Sequence, residues 1–282
     1  MKKVILSLVL GLGVLSATSS IAATPAFSAS NMAQFTVKDL SFKEVMRQLY
    51  NGRMRAAYFN DEELGSMPYV GLDSADSEGF EAVAVMHPVI PYVNSVGEPR
   101  YLVIIEKVEV IGDALMSCHA CGATADLYSF KPLNSGLYQL VSRTPDNVEF
   151  SSSWGRVGLN GEDILNGLQA LGQNLVGSIF ENGYGNRGTY DSWLEVLHLP
   201  EDGYINLYSL GDAGSDNSGN HEESSPLHYS YEVKATVLPD GSRYYPIALN
   251  TVGDKPSEDY DRIDSVNYTN VVKFNPAKKE YQ

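Results

Sequence analysis

Residues 229–250 read YSYEVKATVLPDGSRYYPIALN. Tyr229, Tyr231, Val233, Ala235 and Val237 fall on one side of an extended chain; Ser230, Glu232, Lys234 and Thr236 fall on the other. Alternation of period two over a run this long marks a half-buried strand. Pro239-Asp240-Gly241 then turns the chain, because proline presets φ and glycine accepts the positive φ that follows. Residues 243–249 return as the second strand of a hairpin.

The same grammar recurs upstream. Residues 127–130 and 137–142 flank the turn KPLNSG, and residues 193–199 and 204–210 flank PEDG. Residues 100–111, RYLVIIEKVEVI, form a further strand. The turn glycines Gly136, Gly203 and Gly241 are irregularly spaced, which argues against a propeller or solenoid. The expectation is a mainly β chain, an antiparallel meander packed as a sandwich or open barrel. Residues 161–180 have apolar spacing that would allow a helix. Gly161, Gly167, Gly172 and Gly177 tip that reading toward strands and turns.

Ahead of the β-rich domain, taken as residues 67–282, residues 24–66 form a short N-terminal helical segment. Ser41 and Glu44 make a capping box, Leu40 and Val45 a hydrophobic staple, and Phe42, Val45, Met46, Leu49 and Tyr50 share one helical face. Asn51-Gly52 supplies the stop. Arg53, Met54 and Arg55 read as an exposed turn.

Residues 1–23 read as a secretory signal peptide. Lys2 and Lys3 precede an apolar run from Val4 to Leu15, and small residues lead to cleavage near Ala23. That run is shorter than the roughly 20 residues that span a bilayer, and no later run reaches that length, so no membrane span is expected. The expected location is periplasmic or secreted. The 282 residues carry a formal charge of −15, which disfavours nucleic acid and anionic membrane surfaces, since both require cationic contacts.

Both cysteines, Cys118 and Cys121, lie in LMSCHACGAT. Haem attachment needs a histidine after the second cysteine, where Gly122 stands. Structural zinc needs four ligands, and His119 between the thiols is poorly placed to turn toward the same ion. Thioredoxin-like exchange needs a helix after the motif, but Lys131-Pro132 and Asn134-Ser135-Gly136 interrupt one at once. Two cysteines in an exported chain pair with each other by default. The expected bond closes a small loop, braces a turn and orients His119.

Cys118-His119-Ala120-Cys121-Gly122-Ala123, followed by the strand Leu127 to Phe130, resembles a motif of exported Gram-negative bacterial proteins without assigned activity. The resemblance extends through Trp154-Gly155, Gly183 to Gly188 and Asp216-Asn217-Ser218-Gly219, and covers about residues 100 to 250. It implies an exported β-rich protein and no mechanism.

Several other constellations invite chemistry. Asp212, Asp216, Asn220 and Glu223 match four ligand places of a calcium loop, though Gly214 and Asn217 depart from it and the flanks read as strands. Calcium is thus a candidate cofactor, against the plain reading of a hydrophilic loop tip. Glu258, Asp259, Asp261 and Asp264 form a second acidic cluster with the same alternative. Gly183 to Gly188 can present Tyr184 and Arg187 to a ligand, and with His119 these are the candidate binding residues. Trp154 and Trp193 are candidates for a sugar-stacking surface or for sheet interior. His221 and His228 are spaced too widely for a metalloprotease helix, and no nucleophile elbow or phosphate loop follows the leader.

These readings favour a non-catalytic binding or structural role in the cell envelope, toward a protein or glycan ligand. Two alternatives stand beside it. One is an acidic inhibitor or immunity-type protein that caps a basic envelope enzyme. The other is a thiol-disulfide or metal-dependent enzyme.

Overall fold

The computed structural model describes residues 25–75, 81–146, 148, 150–257, 259 and 261–282. Residues 1–23, which read as a signal peptide with cleavage near Ala23, and Glu258 of the second acidic cluster lie outside them. The chain is mainly β, with antiparallel sheets that include a half-barrel, as the alternating pattern implied.

The first sheet is built around the strand Pro99–Ile111, which pairs with Glu81–Met86 on one side and Thr124–Pro132 on the other. This strand is buried on both faces over residues 102–106. Leu102, Ile104, Val108 and Val110 point into the core shared with the second sheet. Val103 and Ile105 point the opposite way, toward the helix Phe42–Leu49. The helical segment is stitched into this sheet: Thr36–Val37 pairs with Tyr138–Arg143, and Met54–Arg55 with Tyr69–Ala75.

The helix begins at the expected cap, where Ser41 Oγ accepts from the Glu44 N–H at 3.4 Å. The return half of the box is absent. Glu44 turns instead to the backbone N–H of Lys38 at 3.3 Å and to Arg47 and Gln48. Gly52 takes φ 78° just past the helix end, as the Asn-Gly stop required. The turn expected at Arg53 to Arg55 contains the short edge strand Met54–Arg55, because its backbone finds partners at Gly71 and Leu72.

The second sheet is a seven-stranded up-and-down meander running from Leu168–Gly172 to Ile263–Val272. All three hairpins read from sequence are present. In the last, Val233 is buried and Glu232 and Lys234 are exposed, as the alternation required. Its return strand starts at Ile247 rather than Arg243, following Pro246, whose nitrogen has no hydrogen to donate. Residues 161–180 divide. Gly161–Asn166 is a helix, because Asn160 Oδ1 accepts from the Glu162 and Asp163 amides; strands occupy Leu168–Gly172 and Leu175–Asn186.

The second sheet curls on itself. Tyr245 N–H donates to Leu171 O at 2.8 Å and Gln173 N–H to Ser242 O at 2.9 Å, bringing its first strand against the loop before its sixth. Leu194, Val196, Leu210, Val233 and Ile247 fill the enclosed face. The opposite face contributes Phe180, Leu197 and Leu199 to the core between the sheets. The functional candidates lie where that shared core reaches the surface.

Candidate functional site

The strands Leu175–Asn186 and Thr189–Leu199 place Asn182 opposite Trp193 and Phe180 opposite Glu195. Directly paired residues share a face, and residues two apart repeat it. The face that buries Phe180 and Leu197 therefore continues outward as Asn182, Tyr184, Trp193 and Glu195. Aliphatic core gives way there to aromatic and polar groups.

These groups hold one another. Trp193 Nε1–H donates to Ser151 Oγ at 3.3 Å, and Ser151 Oγ–H donates to the buried Glu195 carboxylate at 2.5 Å. Asn182 Nδ2 donates to the same carboxylate and to Gly158 O. A buried acid thus fixes the indole, and fully paired networks of this kind rigidify what they touch.

The disulfide closes the other side. Cys118 and Cys121 are bonded, with Cα atoms 4.9 Å apart. The loop is a turn, with Cys121 N–H donating to Cys118 O at 2.9 Å. A strand, Thr124–Pro132, follows it and not a helix. His119 projects from the turn to meet Trp154 and Tyr184 edge-on, each with ring centroids 5.6 Å apart, and Tyr184 lies 6.0 Å from Trp193. His119, Tyr184 and Trp193 line a pocket of about 340 Å³ together with Ser151, Ser152, Ser153, Arg156 and Asn182, and Trp154 lies edge-on to His119 beside it.

Trp154 stands out. It and Gly155 take φ 55° and 77°, in a two-residue turn joining Ser152–Ser153 to Arg156–Val157. Positive φ at both central residues is the type I′ pattern, which favours Asn-Gly. A bulky residue in that place is strained. Trp154 is nonetheless 52% exposed, so burial of the indole does not compensate for the strain. An outlier of this kind points toward function.

The sequence candidates separate in space. His119 and Tyr184 come together, whereas Arg187 does not join them. Arg187 forms a second positive-φ turn with Gly188, and its carbonyl accepts from Asn220 Nδ2 at 2.6 Å. The acidic stretch is not one loop. Residues 212–216 belong to the strand Asn206–Asp216. Asp212 pairs with Lys255 at 2.6 Å and accepts from Tyr231 OH. The Asp216 carboxyl is held below its ordinary value by the Ser218 hydroxyl and amide. Asn220 is committed to the Arg187 turn, and Glu223 is exposed. Among the described residues no group of three or more His, Cys, Asp or Glu could hold a metal ion.

Two features escaped the sequence reading. Ser151, Asn182 and Glu195 carry no motif. Glu106 had a legible signal: in RYLVIIEKVEVI it occupies the same face as Leu102, Ile104, Val108 and Val110, where an aliphatic residue would be expected. It is fully buried and bonded to His87 and Arg156. No protein-family model, curated protein or solved structure matches the chain.

Proposed function

We propose that this is an exported bacterial protein with a non-catalytic binding role in the cell envelope, and that its ligand is a glycan. The supporting observation is the ring cluster of His119, Trp154, Tyr184 and Trp193 beside hydroxyl, amide and guanidinium groups. A pyranose presents apolar C–H faces and an edge of hydroxyls. Aromatic rings match the first and polar side chains the second. The resemblance of the cysteine motif to exported proteins supports the location.

The test is binding of the full chain to a printed array of bacterial and plant glycans, with Trp154→Ala and Tyr184→Ala alongside. The expected result is retention by the parent and a loss of about tenfold or more in each variant, with circular dichroism unchanged. No retained glycan, or equal retention by Trp154→Ala, overturns the reading. The charge of −15 favours a second reading, capture of a basic envelope protein. A pull-down from envelope extract at low and high salt separates that case.

A further inference from the structure

The aromatic pocket continues into a second cleft. Ser153, Arg156, Val157, Gly158 and Asn182 line both the aromatic pocket and a neighbouring cleft of about 890 Å³. Trp154 forms part of the wall of that second cleft, and His87 lies in it.

His87 is held from behind. Its Nε2 lies 2.8 Å from Glu106 Oε2. Glu106 also accepts from Arg156 Nε at 2.9 Å and from the Val157 N–H at 2.9 Å. Burial works to raise the Glu106 carboxyl, but His87, Arg156 and the Val157 amide outweigh it and hold the group below its ordinary 4.5. An ionised carboxylate only accepts, so Nε2 carries the hydrogen toward Glu106 and Nδ1 is the ring nitrogen left to meet a ligand. Among the described residues Nδ1 has no partner in the chain, and the ring lines the cleft. A buried ion pair is weak evidence for stability, since aliphatic side chains of similar volume do as well. One that orients a ring nitrogen in a cleft has a use beyond stability.

The cleft walls share the chemistry of the aromatic pocket. Met67, Ile90 and Leu159 are apolar, while Glu63 and Asn160 add acceptors. A ligand with an apolar face and several hydroxyl donors suits both halves.

We propose that the two clefts form one groove, in which His87 Nδ1 makes a hydrogen bond with a hydroxyl of a second sugar unit. The groove therefore selects oligosaccharides over single sugars. This rests on the glycan reading above and adds the length of the ligand and the residue that reads it.

The test uses an array carrying each glycan in lengths from one unit upward. The parent protein gains about tenfold on passing from one unit to two or more. His87→Gln keeps an amide donor toward Glu106 but puts no ring nitrogen at the Nδ1 position, and it loses about fivefold to tenfold of that gain. A second variant guards against misfolding. A Cβ at Gly161 meets only Ile90 Cδ1, at 3.6 Å, and Gly161 lines the cleft, so Gly161→Trp places an indole there with no backbone clash at its Cβ. It abolishes the same gain. Equal binding at every length, or an intact length preference in a folded His87→Gln and in Gly161→Trp, overturns the groove while leaving the aromatic pocket standing. Absence of any binding by the parent overturns both.

Discussion

The Gly155 N–H donates to the carbonyl of Cys121 across 2.9 Å, tying the Trp154 turn to the disulfide loop. The fit is close. A Cβ on Gly155 would lie 2.4 Å from Met116 O, so only glycine lets the two segments meet. Trp154 and His119, on either side of this contact, are therefore placed by the same junction.

Reducing the disulfide should loosen that junction more than it weakens the fold. The closed loop spans three residues in sequence, so chain entropy assigns the bond at most about 2 kcal/mol. Cys118 is exposed and within reach of a thiol reductant. Treatment with a dithiol, or Cys118→Ala with Cys121→Ala, should change the near-ultraviolet circular dichroism of the tryptophans and lower glycan binding. An unchanged aromatic spectrum after verified reduction would refute the coupling.

Trp154→Asn tests whether the strained turn is held for function. Asparagine tolerates the left-handed region and suits the type I′ turn. The variant should match the parent in stability or exceed it by up to about 1 kcal/mol, yet lose binding. A loss above about 2 kcal/mol in a urea titration would show that the indole is structural.

Gly155→Ala should be costly, since it combines φ 77° with the clash on Met116 O. Gly97→Ala, at φ 85° with open space around it, is the control and should lose only about 1 kcal/mol. The difference between the two thermal melts measures the close approach. Equal losses would remove it.

Glu106 links the core to acid stability. Its folded-state pKa lies below its unfolded value of 4.5, so its contribution is present above that pH and is lost as pH falls through the folded pKa. Glu106→Ala should lose about 3–5 kcal/mol at neutral pH by leaving Arg156 short of a partner. Below about 4.5 its stability should fall less steeply with pH than the parent's. Parallel curves would show that Glu106 does not titrate differently on unfolding.

His198 acts over a different range. It is buried beside Tyr208, Tyr244 and Phe274, its Nε2 is 2.8 Å from Tyr281 OH, and burial drives its pKa from 6.5 down to about 3. The unfolded chain takes up this proton below pH 6.5 and the folded chain does not. Stability should therefore fall as pH drops from 6.5 toward 3, by up to about 1.4 kcal/mol per unit. His198→Gln should flatten the urea-midpoint profile between pH 6 and roughly 5, where carboxylates contribute little. An identical slope would contradict a neutral buried imidazole.

Much of the architecture was legible because strand alternation and turn chemistry are local. The hairpin through Pro239-Asp240-Gly241, the helix begun by Ser41 and the disulfide all followed from neighbours within a few residues. The helix at Gly161–Asn166 was missed because the four glycines of residues 161–180, three of which lie beyond the helix, outweighed a single Asn160 cap. Only the first part of the acidic stretch departs from the loop reading: residues 212–216 are strand, and residues 217–224 are turns and loop. In the structure Asp212 to Asp216 extend along Tyr190 to Trp193. The separation of Arg187 from His119 was hidden for a different reason, since a tight turn points Arg187 away only three residues after Tyr184.

Local pattern alone determined the class of this protein: extended segments, their hairpins, one capped helix and a small covalent loop. Tertiary structure decided which side chains share a surface. His119, Trp154 and Tyr184 are far apart along the chain and meet only because two sheets pack face to face. Alternation assigns each residue to a side of its own strand; which other segment that side confronts depends on the packing of the sheets.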